Sequence, residues 1–359
     1  EGEITILELV NALGSGSELT QIKGLALRKN SSAYLTPPRE MISDLNILPF
    51  PAWDLIDNRK YYHNPKLVHL RAKENYMVVF SSRGCPYGCS YCHNMFGKKF
   101  RSRNPENVFE EIHFLYKNYG VRQIEFWDDI FNFDRKRAEK ILELIKASGM
   151  NMKLSFPNGL RADLLDKKML KKMKEAGTVH IGVAVETASS GLQKAIRKNL
   201  NLEKVKDIIF QISKLGMMAR GFFILGFPGE TKKEMKKTID FALKSKLHMA
   251  SFFMLNPYKG SEIFFKAQNS GRNINTDYYS TGANSSTLNL SDVQLDEINM
   301  LVRGAYLAFY FRGVRLLRLF MRCPNKLLFL KQLFKYALQL LKRMKLVPNF
   351  LIGKGLQKI

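Results

Sequence analysis

Residues 76–93 run Tyr-Met-Val-Val-Phe-Ser-Ser-Arg-Gly-Cys-Pro-Tyr-Gly-Cys-Ser-Tyr-Cys-His. An apolar run rich in aromatic and β-branched residues leads straight into a loop of glycine, proline and cysteine. This predicts a strand over 76–81 followed by a loop that carries chemistry. Outward from it the pattern repeats. Strand-like runs at 122–126, 152–156, 179–185, 218–225 and 249–255 alternate with helical segments opening at 104–106 and near 134, 164, 203 and 231. Asn104 reads as a helix cap with Pro105 in the first helical position, and Thr231 with Glu234 as a capping box. Six βα units of this length imply parallel strands. The fold class is therefore α/β, with a partial (β/α)6 TIM-like barrel over 76–262 whose chemistry lies at the C-terminal ends of the strands. A doubly wound sheet gives the same alternation, and the pattern alone does not separate the two.

The flanks differ from this core. Residues 1–20 read as a short helix, with Ile4, Leu7, Val10 and Leu13 at helical spacing, stopped by Gly14-Ser15-Gly16-Ser17. Residues 21–75 are rich in turn residues (Pro37-Pro38, Leu48-Pro49-Phe50-Pro51-Ala52-Trp53) and read as a connector packed against its neighbours. Residues 263–290 read as an irregular loop. Residues 291–346 read as helices with Ser291 as a cap, and 263–359 as a C-terminal loop and basic helical region.

Composition narrows the classes. A chain of 359 residues that is 45% hydrophobic can bury a large core. The formal net charge of +25 suggests an anionic partner: nucleic acid, a membrane surface or a negatively charged substrate. The excess is concentrated, because no Asp or Glu follows Glu297 while Lys and Arg recur to Lys358. There are 4 cysteines, and three fall between 85 and 92. That is no disulfide framework; clustered thiols in an enzyme-sized chain read as metal ligands in a reducing compartment, which places the chain in the cytoplasm. No apolar run behind a basic start is visible, and no stretch of about 18 apolar residues exists. The chain begins Glu-Gly-Glu without Met, so an upstream segment is expected.

Cys85, Cys89 and Cys92 are spaced Cys-x3-Cys-x2-Cys, and Gly84, Pro86 and Gly88 let the loop curl so that three sulfurs point inward. Thiolates suit iron–sulfur clusters, which usually take four protein ligands. Three local ligands leave one iron with an open position, as in catalytic metal sites. Two other metal readings stand beside this one. Cys89-Ser90-Tyr91-Cys92-His93 is formally a c-type haem attachment pattern, but haem attachment needs export and leaves Cys85 unexplained. A Cys3His zinc site would need His93 to ligate directly after Cys92, against usual spacing. Cys323 reads as an ordinary thiol.

The cysteine spacing, with an aromatic before the third Cys, resembles the signature of radical S-adenosylmethionine enzymes, and the resemblance extends through residues 76–262. It implies a [4Fe-4S] cluster on Cys85, Cys89 and Cys92. It further implies S-adenosylmethionine on the open iron, reductive cleavage to methionine and a 5′-deoxyadenosyl radical, and hydrogen abstraction from an unactivated C–H bond. The matching positions imply further cofactor contacts. Asp128 and Asp129 stand where many members carry Gly-Gly-Glu to meet the cofactor's amino group, and either carboxylate can serve. Arg161 is placed to hold its carboxylate, and Glu186 its ribose or amino end. Tyr91 is placed to pack on the adenine. Gly226 and Pro228 belong to a turn similar to the family's Gly-x-Pro-Gly-Glu-Thr, where backbone approaches the adenosine. Asn256 to Ser261 resembles a Pro-x-x-Gly-Thr turn.

The subfamily resemblance rests on Gly2-Glu3-Ile4-Thr5, Ile22-Lys23-Gly24-Leu25 and Leu48 to Trp53. These are similar to the segment joining a cobalamin-binding domain to the barrel in methyltransferases and in the anaerobic magnesium-protoporphyrin ester cyclase. Residues 1–20 then read as the remnant of that domain, most of which lies outside this sequence. Cobalamin, a flavodoxin or ferredoxin as electron donor, and methyl transfer or oxidative cyclisation are what this resemblance implies. The tail repeats Arg312, Arg315, Arg318 and Arg322 among apolar residues. Basic amphipathic helices of this kind lie on anionic membranes, which points to a lipid-like or tetrapyrrole-like amphiphilic substrate and to peripheral membrane contact. The same pattern also describes a helical cap with a solvated basic face. Transfer-RNA methylthiotransferases share the barrel but usually end in a small β domain, and this tail reads helical, so nucleic acid is not the expected partner. The rival classes are a non-catalytic iron–sulfur or haem electron carrier and a basic binding protein with incidental cysteines.

Overall fold

A computed structural model describes residues 1–61, 68, 70–269, 289–331, 333 and 334. Helix α1 (Glu3–Ser15) is followed by a hairpin of β1 (Ala26–Lys29) and β2 (Ser32–Leu35), and by the single turn α2 (Asn58–Tyr61). Then come β3 (Tyr76–Val79), the short pair β4 (Ser82–Arg83) and β5 (Arg101–Ser102), α3 (Pro105–Asn118), β6 (Gln123–Phe126), α4 (Arg135–Ala147), β7 (Lys153–Leu160) and α5 (Lys167–Glu175). The series continues with β8 (Thr178–Glu186), α6 (Ser190–Ala195), α7 (Leu202–Lys214), β9 (Met218–Leu225), α8 (Lys232–Lys244), β10 (Met249–Met254) and α9 (Glu262–Asn269). Helices α10 (Leu295–Tyr310) and α11 (Gly313–Arg322) follow.

Six strands form one sheet in the order β3-β6-β7-β8-β9-β10, every neighbouring pair parallel. The strands follow one another in sequence order, without the reversal that defines a doubly wound sheet. This settles the architecture as a partial barrel. Strand alternation sorts the side chains. Ile124, Phe126, Leu154, Phe156, Ile181, Val183, Phe223 and Phe252 are buried beneath the helices, with Phe126 stacked on Phe156 and Phe223 on Phe252 at ring-centroid distances of 5.2 and 5.3 Å. The other face is polar: Gln123 Nε2 donates to Ser155 Oγ (3.3 Å), Arg220 Nε to Ser251 Oγ (3.0 Å), and Arg71 Nε to Glu125 Oε1 (2.6 Å). Desolvated polar groups are tolerated there because each has a partner.

The open edge at β10 is closed by side chains. The Ala250 and Phe252 N–H groups donate to the hydroxyls of Tyr310 and Tyr306, which in turn donate to the carbonyls of the same two residues. Two tyrosines on α10 thus take up the hydrogen bonds of a missing strand, which protects the edge from pairing with another chain.

Several expectations are corrected. The first strand stops at Val79, and Ser82–Arg83 turns away to pair antiparallel with Arg101–Ser102. Residues 262–269 form a helix rather than loop, because Ile263, Phe264 and Ala267 bury one face; residues 270–288 lie outside the described set. Helix α5 starts at Lys167 under an Asp166 cap, after a single 3-10 turn at Ala162–Leu164. Ser291 does not cap α10, whose cap position is Gln294; its hydroxyl instead donates to Asn289 and accepts from Val293 N–H. The Thr231–Glu234 capping box is formed. The connector holds the β1–β2 hairpin, and of the expected C-terminal helices the part over 335–346 lies outside the described residues.

The turn into β8 fixes a glycine. Gly177 has φ +96°, and a Cβ there would lie 2.1 Å from the Met152 carbonyl oxygen. Gly177→Ala is expected to cost at least about 1–3 kcal/mol of stability from backbone strain alone. A lowered urea midpoint, with the slope unchanged, measures it.

Candidate active site

The cysteine loop lies over the C-terminal ends of β3, β6, β7 and β8. It is held by hydrogen bonds to distant segments. Ser90 N–H donates to Ile196 O (3.1 Å), Ile263 N–H to Ser90 O (3.1 Å), and Arg197 Nε to Gly88 O (2.8 Å). Gly84 opens the loop with φ +81°, and a Cβ there would lie 2.3 Å from Lys99 O. A side chain at 84 would force the two arms of the loop apart.

Beneath the loop is a cavity of about 300 Å³, lined among others by Cys85, Cys89, Cys92, Asp129, Asn158, Arg161, Glu186 and Lys198. That size suits a small-molecule site. Two glycines let the layer beneath its floor pack closely. Gly159 (φ +94°) lies where a Cβ would come within 3.2 Å of Ala184 Cβ, and a Cβ on Gly182 would come within 2.8 Å of the Phe222 ring. At the end of β8 the pairing with β9 shifts register between Ala184 and Glu186, and Glu186 takes a left-handed conformation with φ +67°. A non-glycine residue held there is strained, and such strain concentrates at functional sites.

The residues proposed from sequence divide. Asp129, Arg161, Glu186 and Tyr91 line the cavity with the three cysteines. Asp128 does not. It is buried behind the loop, where it accepts from Ser81 N–H (2.7 Å) and from the hydroxyls of Ser81 and Ser82. Burial pushes its carboxyl up from the usual value, against the pull of Arg137 and the Ser81 and Ser82 bonds. Asp129 points the other way, accepting from Gly84 N–H (3.0 Å) and lying 3.6 Å from His93 Nε2. Gly226 and Pro228 are not in the lining. Their neighbour Phe227 is buried, and Tyr91 packs edge-on against it at 5.6 Å, so that turn supports the pocket through Tyr91. Cys323 packs with Leu70, Met218, Leu319 and Phe329 at the opposite, N-terminal ends of the strands.

Lys198 was not singled out by sequence. Its ammonium donates to the Tyr91 hydroxyl and to Glu186 Oε1, both at 3.3 Å, and its carbonyl accepts from Arg161 Nη2 (2.7 Å). Arg161 also pairs with Asp163 and lies 3.8 Å over the Tyr87 ring, another residue sequence reading passed over. The only available signal for Lys198 was its position in an irregular stretch before α7, where Arg197 and Asn199 both have positive φ. Burial and the adjacent Glu186 carboxylate hold the Tyr91 hydroxyl well above its ordinary pKa. Burial likewise pushes Cys85 up and Cys92 up to about 11. A cation bound to the sulfurs reverses that preference and holds them as thiolates.

Residues 79–242 match the family described as the Radical SAM superfamily. The barrel is a radical S-adenosylmethionine domain, and the chain belongs to that superfamily. A Pyrococcus horikoshii protein named as an uncharacterized methyltransferase is 33% identical over 314 residues, covering 87% of this chain and 66% of that one. The anaerobic magnesium-protoporphyrin IX monomethyl ester cyclase of Cereibacter sphaeroides is 26% identical over 270 residues, covering 74% and 43%. Among solved structures, a radical S-adenosylmethionine methyltransferase from Kitasatospora setae, with cobalamin and a [4Fe-4S] cluster bound, superposes with a TM-score of 0.63 at 16% identity. It covers 75% of this chain and 53% of that one, and shows a shared fold. The chain thus spans less than two thirds of the length of these proteins.

Radical S-adenosylmethionine domains carry a [4Fe-4S] cluster and S-adenosylmethionine. The donor set fits the cluster: three thiols face one cavity, and the fourth cysteine of the chain is at the other end of the barrel. Among the described residues no three His, Cys, Asp or Glu side chains converge on a single ion. A four-iron cluster requires no such convergence, since each thiolate takes a separate iron.

The Gly226 turn carries a titratable group of its own. Glu230 Oε2 accepts from the N–H groups of Gly226 (2.6 Å) and Phe227 (3.1 Å), while burial pushes the carboxyl from 4.5 up to about 7. An acid whose native pKa is raised favours folding while protonated. The unfolded chain releases this proton first as pH climbs above 4.5, so the contribution is lost progressively and is gone above about 7. Against Glu230→Gln, which does not titrate, the wild-type melting temperature is expected to fall between pH 5 and pH 8; parallel pH profiles of the two proteins contradict this.

Proposed function

We propose that this chain cleaves S-adenosylmethionine reductively and uses the resulting radical for cobalamin-assisted methyl transfer to a small-molecule substrate. The observation that carries the reading is the single cavity uniting three thiols with two carboxylates and two buried cations. Cys85, Cys89 and Cys92 would hold a [4Fe-4S] cluster, which would supply the reducing electron for that cleavage.

The chain's own residues do the positioning. A methionyl group offers one ammonium and one carboxylate. Asp129 and Glu186 present acceptors for the first, and Lys198 and Arg161 present charge-assisted donors for the second. Lys198 already neutralises Glu186, so a zwitterion can enter by exchanging partners rather than by uncovering a bare charge. Tyr91, backed by the buried Phe227, offers apolar surface to the adenosine.

Methyl transfer is preferred to cyclisation because the relative at 33% identity is named a methyltransferase, while the cyclase stands at 26%. Cobalamin enters through the resemblance of residues 1–53 to the segment that follows a cobalamin-binding domain. Glu1 and Glu3 tie α1 to Arg83 and Arg101 beside the cysteine loop, so that segment abuts the site. A small flavin or iron–sulfur protein is the proposed electron donor.

Anaerobic reconstitution is expected to load about four irons per chain, and dithionite with S-adenosylmethionine to release 5′-deoxyadenosine. A fully loaded protein that releases none refutes the reading, and Cys85→Ala, Cys89→Ala or Cys92→Ala is expected to abolish both loading and release. A label on the cofactor's methyl carbon that appears in the product establishes methyl transfer; a cyclised, unlabelled product establishes the cyclase alternative. Lys198→Met is expected to raise the KM for S-adenosylmethionine by on the order of tenfold, the loss of about one charge-assisted hydrogen bond, with cluster loading unchanged.

A further inference from the structure

Helix α11 turns apolar side chains outward as well as inward. Arg315 faces the protein, only 5% exposed, while Val314, Leu317 and Met321 face outward at 73%, 58% and 59%; Phe311, just before the helix, is 72% exposed. At 100° per residue those three outward positions lie on one stripe opposite Arg315 and Leu319. The orientation is fixed by Arg315. Its two terminal nitrogens donate to Leu243 O (2.8 Å), in the last turn of α8, and to Leu247 O (2.9 Å), in the segment that leads on to β10, and its plane lies 3.8 Å over the Phe309 ring. With the arginine committed inward, the apolar stripe has nowhere to go but out. The next segment continues it, with Leu327, Leu330 and Phe334 exposed at 64%, 51% and 67%.

Cations flank the stripe and have no acidic partners. Arg322 and Lys174 converge over Gly216, whose Cβ would lie 3.1 Å from the one and 3.7 Å from the other. Burial, then Lys153 and Arg322, pull the Lys174 ammonium below its ordinary pKa. Among the described residues none of Lys153, Lys174, Arg312, Arg318, Arg322, Lys326 or Lys331 makes an ion pair in which a carboxylate comes within 4.0 Å. No acid follows Glu297 anywhere in the sequence.

We propose that the N-terminal end of the barrel, through the outward face of α11 and the cations beside it, docks on an anionic phospholipid bilayer. The stripe would enter the acyl boundary while Arg318, Arg322 and Lys174 meet phosphate. Charge selects this occupant. A symmetric contact with a second copy would bring two unpaired basic clusters together. Nucleic acid would satisfy the cations and leave the apolar stripe in water. No helix of the described residues is long and apolar enough to cross a membrane, so the contact is peripheral. The surface lies at the end of the strands opposite the cysteines, so the proposal is independent of the function proposed above: it concerns where the enzyme sits.

The test uses the full 359-residue chain. Co-sedimentation with vesicles containing about one third phosphatidylglycerol is expected to retain it, weakening as salt is raised, while phosphatidylcholine vesicles retain little. The exposed double variant Leu317→Glu/Met321→Glu is expected to reduce binding tenfold or more with an unchanged circular dichroism spectrum, and Arg318→Glu/Arg322→Glu to do so most at low salt. 5′-deoxyadenosine release is expected to persist in both. Absence of vesicle binding, equal binding by the variants, a wild-type dimer that Leu317→Glu dissolves, or RNA binding in place of vesicle binding each overturns the proposal.

Discussion

One buried carboxylate sets the active end. Asp128 sits in the interior at the mouth of β6 and gathers the Ser81 N–H and two serine hydroxyls, so that the chain leaving β3 is fixed to the neighbouring strand before the first cysteine is reached. A carboxylate so placed would be costly without compensation. It is supplied locally: three hydrogen bonds, with Arg137 close by and itself donating to Ser81 O and Arg103 O. The strand has to end early for this to happen, and Ser82–Arg83 turns out to pair with β5. Everything downstream inherits that corner. Because Asp128 points in, Asp129 must point out, into the cavity and onto the Gly84 N–H that begins the loop. Adjacent residues thus divide one chemistry, the first building the loop and the second facing what the loop holds.

The second constraint is room. A cavity under a parallel sheet end has to be made against the tendency of strands to fill it with side chains. Here the register slip in β8 accompanies left-handed backbone at Glu186, and the lack of a Cβ at Gly159 and Gly182 lets Ala184 and Phe222 pack close beneath the floor. The cost in strain is offset by the buried contacts of Glu186 and Lys198, and those two, with Tyr91, connect the floor to the cysteine loop. Lining and scaffold are the same residues, which ties the shape of the pocket to its charge.

This explains what could be read from sequence and what could not. The strand–helix alternation is a repeated local signal, and the cysteines declare a chemistry by type and spacing, so the barrel and the thiol loop at its C-terminal end were legible. The choice between Asp128 and Asp129 was not, because it depends on which of two adjacent side chains finds serines across a corner. Lys198 is one lysine among many until the fold brings it beneath Tyr91. Gly226 and Pro228 were recognised as a turn but occupy the layer behind the lining, acting through Phe227. Helix α9 was taken for loop because its polar end dominates the local pattern, whereas its stability comes from Ile263 and Phe264 packing below the cysteines, a tertiary effect. The tyrosine closure of β10 left no pattern at all, since it needs only two hydroxyls at helical spacing on a helix some fifty residues away.

The tail shows the same limit in another form. Its basic, apolar periodicity suggested an amphiphilic substrate, which presumes that the tail lies near the chemistry. Its described part lies at the other end: Leu319, Cys323 and Phe329 pack with Leu70 and Met218, where strands begin, while the thiols stand where strands finish. A substrate reaching the cavity need not touch α11, and a surface that engages α11 need not deliver substrate. The described tail and the cavity therefore stand at opposite ends of one sheet. Asn158, Met95 and Phe96 line the cavity, far from the charge of the described tail.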